Sequence, residues 1–324
     1  VRPILKGGPG AAAYARAREL GVRIAVTGAS GFVGGRVVDA LVRAGHDVLP
    51  LGRRPIEALS RPLAGYIAWD FAAGPLPPRE ADALVHCGAR VGDWGSLSTF
   101  RATNVEGTAA VLRSFPGVAR LVHISTASVY ASNGARMALR EDAPLETDAR
   151  LAYALSKVEA ERAVMRGARR AIVLRPHIVY GPGDPTLMPR VLAARRLGCL
   201  AVPGDGTNRV SITHVDNLVI AIEQALWASA EGAFNVADAE PIPVDLLLRT
   251  MLRRHGVADS LAYLPRALAW HVAVALERGW RVARAGSPPP LTRFMVSNLA
   301  DEFTLDCSRA RACLGYVPRW SYRD

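Results

Sequence analysis

The sequence predicts an α/β protein in which a doubly wound parallel sheet is joined to a smaller, interleaved lobe from the second half of the chain. Three observations support this fold class: a glycine-rich turn directly after the first apolar run, short β-branched runs that alternate with helical patterns, and a length of 324 residues. Strands that alternate with helices are typical of a parallel sheet covered on both faces. The length fits one large lobe with a second, smaller one.

The first predicted element is a strand over residues 22–27, which is mostly apolar and β-branched. Gly28-Ala-Ser-Gly31-Phe-Val-Gly34 follows at once, and an amphipathic helix is predicted from Gly35 to Gly45. Glycines three apart let the main chain approach a pyrophosphate, to which the helix N-terminus offers unpaired N–H groups. The turn therefore predicts a Rossmann-type dinucleotide-binding lobe. A tight turn that needs glycine only for packing is the alternative.

Further short runs rich in apolar and β-branched residues predict the remaining strands. They cover residues 46–51, 65–69, 83–87, 120–125 and 171–175. Helical patterns lie between several of them, over residues 104–114 and 151–166. This alternation predicts that the sheet is parallel and that helices cover both of its faces.

The predicted domain organisation has three parts. Residues 1–20 form an N-terminal extension, residues 21–176 a NAD(P)-binding Rossmann domain, and residues 177–324 mainly a substrate-binding lobe with segments that return to the Rossmann domain. The extension contains Ala, Arg and Gly and lacks the long apolar run of a signal peptide, so a short helix or tail is expected there.

A tyrosine and a lysine four residues apart are the first candidates for chemistry. Lys157 is one of only two lysines in a chain with 38 arginines, and it follows Tyr153 at a spacing that shares one face of a helix. An ammonium beside a phenol favours the ionised form and lowers a pKa that starts near ~10. Such a tyrosine is a usable general acid or base near neutral pH. An ordinary exposed pair on a surface helix is the alternative.

The motifs that carry a resemblance occur in order from about Val22 to Trp320. They are Thr27-Gly28-x-x-Gly31-x-x-Gly34, Asp70-Phe71, His86-Cys-Gly-Ala89, Asn104-Val-Glu-Gly-Thr, Ser125-Thr126-Ala-Ser-Val-Tyr130, Tyr153-x-x-x-Lys157, Arg175-Pro176-x-x-Val-Tyr-Gly-Pro-Gly, His214-Val-Asp216-Asn217 and Phe234-Asn235-Val236. Together they resemble the extended short-chain dehydrogenase/reductase family, the NAD(P)-dependent epimerases and dehydratases, and most of all its 3β-hydroxysteroid-dehydrogenase-like branch.

This resemblance implies the catalytic roles. Tyr153 is expected to be the proton donor or acceptor at the substrate oxygen. Lys157 is expected to hold the nicotinamide ribose and to keep the pKa of Tyr153 down. Thr126, or alternatively Ser125, would hydrogen-bond the substrate oxygen, and Asn104 would lie in a helix near the lysine and organise a proton path. Outside the family context, Thr126 would be a turn cap and Asn104 a helix N-cap.

The resemblance also implies the cofactor-binding residues. They are Gly28, Ser30, Gly31, Phe32, Val33, Gly34, Arg53, Arg54, Asp70, Phe71, Cys87, Gly88, Ala89, Tyr153, Lys157, Pro176 and His177. NAD sites usually place a carboxylate at the end of the second strand, whereas NADP sites use arginine for the 2′-phosphate. Gly52 stands where the acid would fall, and Arg53 and Arg54 follow it. NADP is therefore predicted as the preferred cofactor, with NAD as the alternative. Asp70 is expected to contact the adenine, or else to be a turn residue at a strand end.

Charge and cysteine content limit the partners. The formal net charge is +11, which raises nucleic acid or acidic membranes as partners, but the arginines are scattered and no run exceeds a pair. No nucleic acid is therefore expected. The four cysteines lack zinc spacing and the histidines are unclustered, so no metal is predicted. The cysteine usage favours a reduced, cytoplasmic compartment. The resemblance allows a homodimer through a helix pair.

A predicted apolar helix over Ala267–Leu276 is interrupted only by His271, and arginines follow it. About ten residues are too few to span a bilayer. Such a helix would cover a greasy substrate pocket, lie on a membrane surface as a peripheral contact, or pack as a core helix of the small lobe.

The segments that begin at Pro288, Phe303 and Leu314 resemble the steroid-dehydrogenase-like and 2-alkyl-3-oxoalkanoate-reductase branch. This resemblance implies an oxidoreductase that transfers hydride between nicotinamide and a keto or hydroxyl group of a hydrophobic substrate, a 3-oxo or 3-hydroxy lipid or a steroid-like compound.

Two other functions stay open. One is a nucleotide-sugar epimerase or dehydratase with a transiently reduced cofactor, in which arginines of the second lobe would bind the diphosphate. These are Arg190, Arg195, Arg196 and Arg209. The other is a non-catalytic NADP-binding regulator; the presence of Thr126, Tyr153 and Lys157 together argues against it, since a pure binder has no need of the tyrosine.

Overall fold

The computed structural model describes residues 21–131, 136–196, 198–283 and 286–323. The predicted N-terminal extension, residues 1–20, lies outside this range. The strands are β1 (Arg23–Thr27), β2 (Asp47–Gly52), β3 (Ile67–Ala68), β4 (Ala83–His86), β5 (Arg120–Ile124), β6 (Ala171–Pro176), β7 (Val179–Tyr180), β8 (Leu200–Pro203), β9 (Arg209–Val210), β10 (Thr213–His214), β11 (Gly232–Val236), β12 (Ile242–Pro243) and β13 (Leu261–Leu264).

The helices lie between these strands or follow them. They are α1 (Phe32–Arg43), α2 (Leu97–Arg101), α3 (Gly107–Ser114), α4 (Ala152–Gly167), α5 (Leu187–Ala194), α6 (Val215–Trp227), α7 (Val244–Arg254), α8 (Arg266–Val282), α9 (Arg293–Ala300) and α10 (Ser308–Leu314).

The main sheet has seven parallel strands in the order β11-β6-β5-β4-β1-β2-β3. The order reverses at β1, which is the arrangement of doubly wound dinucleotide-binding folds. The predicted fold class is therefore confirmed. The six strands predicted from the apolar runs all occur, although the third is reduced to Ile67–Ala68.

The sheet is buried on both faces because its strands are apolar on both sides. Ile24 and Val26 pack into one cluster with α1 and α6, while Ala25 packs into another with α3 and α4. Successive residues of a strand point to opposite faces, so one run of apolar residues serves both clusters.

Two segments of the second half of the chain return to the main sheet. β11 pairs with β6 in parallel register, and α6 packs beside α1. The rest of this half forms a second lobe around its own apolar cluster, with β7 paired to β10, β9 to β12 and β8 to β13.

The predicted helix over residues 104–114 is longer and not uniform. α2 leads into a π-helical turn over Ala102–Glu106, and α3 continues from it. The Gly107 N–H donates to the Ala102 carbonyl across this wider turn. A Cβ at Gly107 would lie 2.5 Å from the Phe71 ring, so the bare backbone of this turn packs directly on that ring. Asn104 lies inside the turn and does not cap a helix.

The predicted apolar helix is α8. Its inner residues Ala269 and Ala273 pack against Val296 of α9, whereas Leu268 and Val272 on its outer side are 51% and 38% exposed. Within the described ranges, no helix combines the length and apolar character that crossing a membrane requires. Peripheral membrane contact and a homodimer stay predictions.

Candidate active site

The turn between β1 and α1 is closed by glycines that no other residue could replace in this geometry. Gly28 has a φ of +70°, and a Cβ there would lie 2.8 Å from the Gly88 nitrogen. A Cβ at Gly34 would collide with the Gly28 carbonyl, to which the Gly31 N–H donates at 2.9 Å. These contacts bring the loop after β4 and the start of α1 against the same turn.

The N-terminus of α1 fits an anionic group. Gly31 occupies the N-cap and offers no side chain to the first N–H groups, and no acidic residue stands in the first turn. The helix dipole and its unpaired N–H groups therefore favour a pyrophosphate here. Ser125 Oγ at the end of β5 is another polar atom that is buried without a hydrogen-bond partner in the described chain. The described residues thus fit the predicted dinucleotide.

The end of β2 carries the residues predicted to select the cofactor. A Cβ at Gly52 would lie 2.8 Å from Ser30 Oγ, so the glycine lets Ser30 approach the strand end. Arg53 and Arg54 follow and are both exposed. The structure therefore presents two guanidinium groups at the strand end, where an acidic side chain would otherwise stand.

One arginine near the glycine turn was missed by the sequence reasoning. Arg61 donates from Nη2 to the Gly35 carbonyl at 3.2 Å and pairs with Asp39 Oδ1 at 2.7 Å. It lies in an irregular segment with no motif, so no sequence signal marked it.

Asp70 and Phe71 differ in what they offer to a cofactor. Asp70 Oδ1 accepts from the Ala72 N–H at 3.0 Å and caps a short 3-10 turn, as the alternative interpretation predicted. Phe71 is buried, and a Cβ at Gly88 would lie 2.5 Å from its ring. Phe71 therefore shapes the wall behind the loop Cys87–Ala89.

Tyr153 stands near the start of α4, half-buried, with its ring centroid 6.0 Å from that of Phe100. Burial raises the pKa of Tyr153 to about 12, while a hydrogen bond with Thr126 acts in the lowering direction. Thr126 Oγ1 also accepts from the Ser128 N–H at 3.1 Å, so the same side chain both caps a turn and hydrogen-bonds Tyr153. The structure therefore brings together two of the predicted catalytic residues.

Lys157 is not among the groups that shift the pKa of Tyr153, in contrast to the sequence-based expectation. Its Nζ donates to the Ile124 carbonyl of β5 at 2.8 Å and lies 3.1 Å from His123 Nε2. The side chain is only 1% exposed, and burial lowers the pKa of Lys157 to about 8, with Glu161 acting in the raising direction.

The sequence analysis described the histidines as unclustered, but His123 contacts both Lys157 and a second histidine. Burial lowers the pKa of His123 well below its usual value, and the charge of Lys157 lowers it further. The ring is therefore neutral and accepts from the ammonium through Nε2. Its centroid lies 5.1 Å from that of His86, its partner in the pairing of β4 with β5.

His86 links the sheet to the π-helical turn. The Thr108 hydroxyl donates to the Asn104 carbonyl at 2.6 Å, so His86 Nε2 must donate to Thr108 Oγ1 at 3.0 Å. His86 Nδ1 then accepts from the Thr27 hydroxyl at 2.6 Å. Burial, and after it Lys157, lowers the pKa of His86 to about 3, so the ring stays neutral.

Asn104 connects the loop after β4 to α4. Its Oδ1 accepts from the Arg90 N–H at 2.8 Å, and its Nδ2 donates to the Arg90 carbonyl at 3.1 Å and to Ser156 Oγ at 2.9 Å. The Ser156 hydroxyl donates in turn to the Tyr153 carbonyl at 2.7 Å. The predicted position of Asn104 beside the helix of the lysine is observed, through Ser156 as the intermediate.

Pro176 ends β6, and His177 follows it with a ring that faces the second lobe. His177 Nδ1 lies 2.8 Å from the Ser211 carbonyl and Nε2 lies 3.3 Å from Asn298 Oδ1. The ring is tilted against that of Phe303, with the two centroids 4.0 Å apart. The predicted cofactor contact of His177 therefore finds no side-chain support, because both ring nitrogens are engaged elsewhere.

A cavity of about 480 Å³ lies against Tyr153. Its size is typical of a small-molecule site. Its walls combine aromatic rings with arginines and two carboxylates: Trp94, Phe100, Trp280, Phe294, Arg90, Arg150, Arg281, Arg293, Asp93 and Glu277. Glu277 and Trp280 belong to α8, so this helix covers the cavity, which is one of the roles predicted for it.

The doubly wound sheet and the glycine turn at α1 define a dinucleotide-binding enzyme of the Rossmann type. The model of the NAD dependent epimerase/dehydratase family matches residues 24–237, and the chain belongs to this family. It is an oxidoreductase of the extended short-chain type, as the sequence motifs predicted.

Individual relatives are similar over nearly the whole chain. The chain is 32% identical over 320 residues to the 2-alkyl-3-oxoalkanoate reductase of Stenotrophomonas maltophilia (strain K279a), covering 94% of this chain and 97% of that protein. It is 28% identical to the sterol-4-alpha-carboxylate 3-dehydrogenase, decarboxylating, of Homo sapiens, covering 91% and 84%. The solved structure of MoeE5 in complex with UDP-glucuronic acid and NAD is similar with a TM-score of 0.69 and 25% identity, covering 93% of this chain and 95% of that chain.

Proposed function

We propose that this enzyme transfers a hydride between a nicotinamide cofactor and the keto or hydroxyl carbon of a 3-oxo or 3-hydroxy compound with an apolar body. The observation that carries the proposal is the cavity against Tyr153, whose walls include Trp94, Trp280 and Phe294. Aromatic walls favour an apolar substrate body. Two relatives support the same chemistry, since one is named for 3-oxoalkanoates and the other as a 3-dehydrogenase of sterol carboxylates.

In this proposal Tyr153 provides the proton at the substrate oxygen. Its pKa of about 12 keeps the phenol protonated at neutral pH, so it can donate to a carbonyl oxygen that gains negative charge. Thr126, which already hydrogen-bonds Tyr153, would hold the same oxygen. The bound nicotinamide supplies the hydride in this direction. The protonation state of Tyr153 thus favours ketone reduction over alcohol oxidation near pH 7.

Lys157 would act beside the ribose and renew the proton. Its pKa of about 8 lies close enough to neutral pH for exchange of its proton during turnover. His123 and the Ile124 carbonyl fix its ammonium group at 3.1 Å and 2.8 Å. Asn104 and Ser156 would orient the first turns of α4, which carry both Tyr153 and Lys157.

NADP is the cofactor that the end of β2 favours. Arg53 and Arg54 are exposed there, and Gly52 replaces the acid that would accept from the ribose 2′-hydroxyl. A guanidinium forms charge-assisted bonds to a phosphate, which NADP carries at this position and NAD lacks.

The nucleotide-sugar alternative is less well supported by the arginines of the second lobe. Arg190 donates to Asp93 at 2.8 Å. Arg195, Arg196 and Arg209 all donate to main-chain carbonyl groups. None of these four is among the described residues that line the cavity against Tyr153. A sugar diphosphate would have to displace these contacts before the arginines could bind it.

The test is NADPH fluorescence over time with the purified enzyme and two substrate pools. One pool contains 3-oxo esters, 3-oxo lipids and steroids, and the other contains nucleotide sugars. We expect loss of one NADPH for each ketone reduced, in the first pool only. Tyr153→Phe should bind NADPH with wild-type affinity but lower kcat by about 10²- to 10⁴-fold, because it lacks the proton.

Other outcomes would refute these assignments. Interconversion of nucleotide sugars without net NADPH loss would establish the epimerase or dehydratase instead. Enhanced NADPH fluorescence with no conversion in either pool would favour the non-catalytic regulator. Unchanged kcat in the Tyr153→Phe variant would refute the assignment of the proton donor.

A further inference from the structure

Arg90 differs from the other arginines of the cavity in how its charge is compensated. Its guanidinium lies over the Phe100 ring, 5.5 Å from the centroid, and in the described chain no carboxylate oxygen lies within 4 Å of it. Tyr153 packs on the same ring with a centroid distance of 6.0 Å. A positive charge and the candidate proton donor therefore flank one aromatic side chain at the cavity wall.

The carboxylates of the cavity are already paired with other arginines. Glu277 accepts two hydrogen bonds from the Arg293 guanidinium, at 2.9 and 2.7 Å, and a third from the Arg293 N–H at 2.8 Å. Asp93 accepts from Arg190 at 2.8 Å and from the Thr292 hydroxyl at 2.6 Å.

Arg150 and Arg281 also have acidic partners, since Arg150 pairs with Asp148 at 2.6 Å and Arg281 with Glu277 at 3.7 Å. Glu277 is thus shared by Arg281 and Arg293, and Arg90 is the arginine of the cavity wall that has no carboxylate partner in the described chain. A negative charge on a ligand would supply that partner.

The main chain of Arg90 is fixed relative to Tyr153. Asn104 binds both the N–H and the carbonyl of Arg90, at 2.8 and 3.1 Å. Asn104 also binds Ser156, which binds the Tyr153 carbonyl. Two side chains therefore connect the backbone of the cation to that of the phenol.

We propose that Arg90 binds the carboxylate of a 3-oxo or 3-hydroxy acid whose keto or hydroxyl oxygen meets Tyr153, an inference that rests on the function proposed above. A guanidinium presents two parallel N–H donors that match the two oxygens of a carboxylate. Both protein groups pack on Phe100, which favours a substrate that carries its two polar groups near each other, as a 1,3-related acid does.

The apolar part of such an acid has a place in the same cavity. Trp94, Trp280 and Phe294 line the same cavity, and α8 covers it. An alkyl or polycyclic body would pack there while its acid end stays at the cation. Arg90 therefore selects for the acid group of the substrate, and the aromatic walls accept its variable apolar body.

The experiment compares a 2-alkyl-3-hydroxy acid with its methyl ester as substrates for NADP-dependent oxidation. The hydroxy compounds are chosen because 3-oxo acids lose CO₂ spontaneously. The ester keeps the carbon skeleton and removes the charge. We expect wild-type kcat/KM for the acid to exceed that for the ester by roughly 10- to 150-fold, the range of a charge-assisted hydrogen bond.

Three variants assign this preference to Arg90. Arg90→Gln should lower kcat/KM for the acid by the same roughly 10- to 150-fold and change that for the ester by less than about threefold. Arg90→Lys should retain part of the preference, because it keeps the charge without the fork. Arg150→Gln removes another cavity arginine that already has a carboxylate partner, so its acid-to-ester ratio should equal that of the wild type.

Each other outcome has a distinct meaning. Equal wild-type kcat/KM for acid and ester would refute the carboxylate site but leave the hydride-transfer function standing. A preference that persists in Arg90→Gln, or an equal loss for acid and ester, would refute the assignment to Arg90. If the wild type oxidises neither compound and reduces no 3-oxo ester, the proposed function fails, and the carboxylate site fails with it.

Discussion

Lys157 makes a prediction about how stability depends on pH. Its folded-state pKa is about 8, lowered from an ordinary 10.5 mainly because the side chain is buried. The folded protein therefore binds fewer protons than the unfolded chain between these two values. Under proton linkage the free energy of unfolding then rises with pH in this window. The buried ammonium destabilises the fold below pH 8, and its deprotonation relieves the cost.

The magnitude follows from the two pKa values. A difference of 10.5 against about 8 corresponds to about 3 kcal/mol at low pH, at 1.36 kcal/mol for each unit. Integration from pH 7 to pH 9.5 gives a relief of about 2 kcal/mol, because the folded state loses the proton in this range while the unfolded chain keeps most of it. Lys157 is 1% exposed, so solvent screening reduces this value little.

The assay is urea unfolding at pH 7 and pH 9.5 with the wild type and with Lys157→Met, both without added cofactor. Methionine has a similar shape and no charge, and subtraction of the two curves removes the contribution of all other titrating groups. Between pH 7 and pH 9.5 the free energy of unfolding of the wild type should rise by about 2 kcal/mol relative to that of the variant. A difference that stays constant within about 0.5 kcal/mol would show that Lys157 does not titrate in this range, and would refute the reasoning.

Two further predictions concern the cofactor and the core. The double variant Arg53→Ser with Arg54→Ser should weaken NADPH binding by about 10- to 100-fold and leave NADH binding nearly unchanged, as measured by fluorescence titration; equal losses for both would contradict the assignment to the 2′-phosphate. Arg175 and Glu161 form a buried ion pair with contacts of 3.0 and 2.7 Å. Glu161→Gln should therefore lower the free energy of unfolding, measured in urea, by about 3 to 5 kcal/mol. A loss below about 1 kcal/mol would show that the arginine finds other partners.

Local requirements were predictable from the sequence. The glycines from Gly28 to Gly34 contact their own turn and the loop after β4, and their spacing in the sequence predicts that geometry. Six of the seven strands of the main sheet were predicted from short runs of apolar and β-branched residues, whereas β11 was not. The spacing of Tyr153 and Lys157 correctly indicated a shared helix, because it depends on helical periodicity alone.

Features that depend on contacts between distant segments were not predictable. The π-helical turn at Asn104 forms where Gly107 packs on Phe71, a residue on another element. His123 contacts Lys157 because the lysine side chain of α4 reaches β5. It lies beside His86 because β4 and β5 pair in parallel register. A single sequence contains no direct signal for these contacts.

The cavity shows the same limit. Its arginines are spread from Arg90 to Arg293, and the pairing that leaves Arg90 without a carboxylate partner in the described chain depends on residues of α8 and α9. Composition revealed an excess of arginine, but it could not reveal which guanidinium lacks a carboxylate.

The pairing of β11 with β6 has a consequence for how the chain is made. The cofactor-binding sheet includes Gly232–Val236 in register with Ile172–Pro176, so during synthesis it stays unfinished until about 60 further residues have left the ribosome. Until then β6 is an unpaired edge of buried valine, leucine and isoleucine, the type of edge that invites pairing with another chain. The first lobe therefore cannot complete its sheet until part of the second half of the chain has been made. A chain cut after residue 176 would keep the exposed edge of β6 permanently.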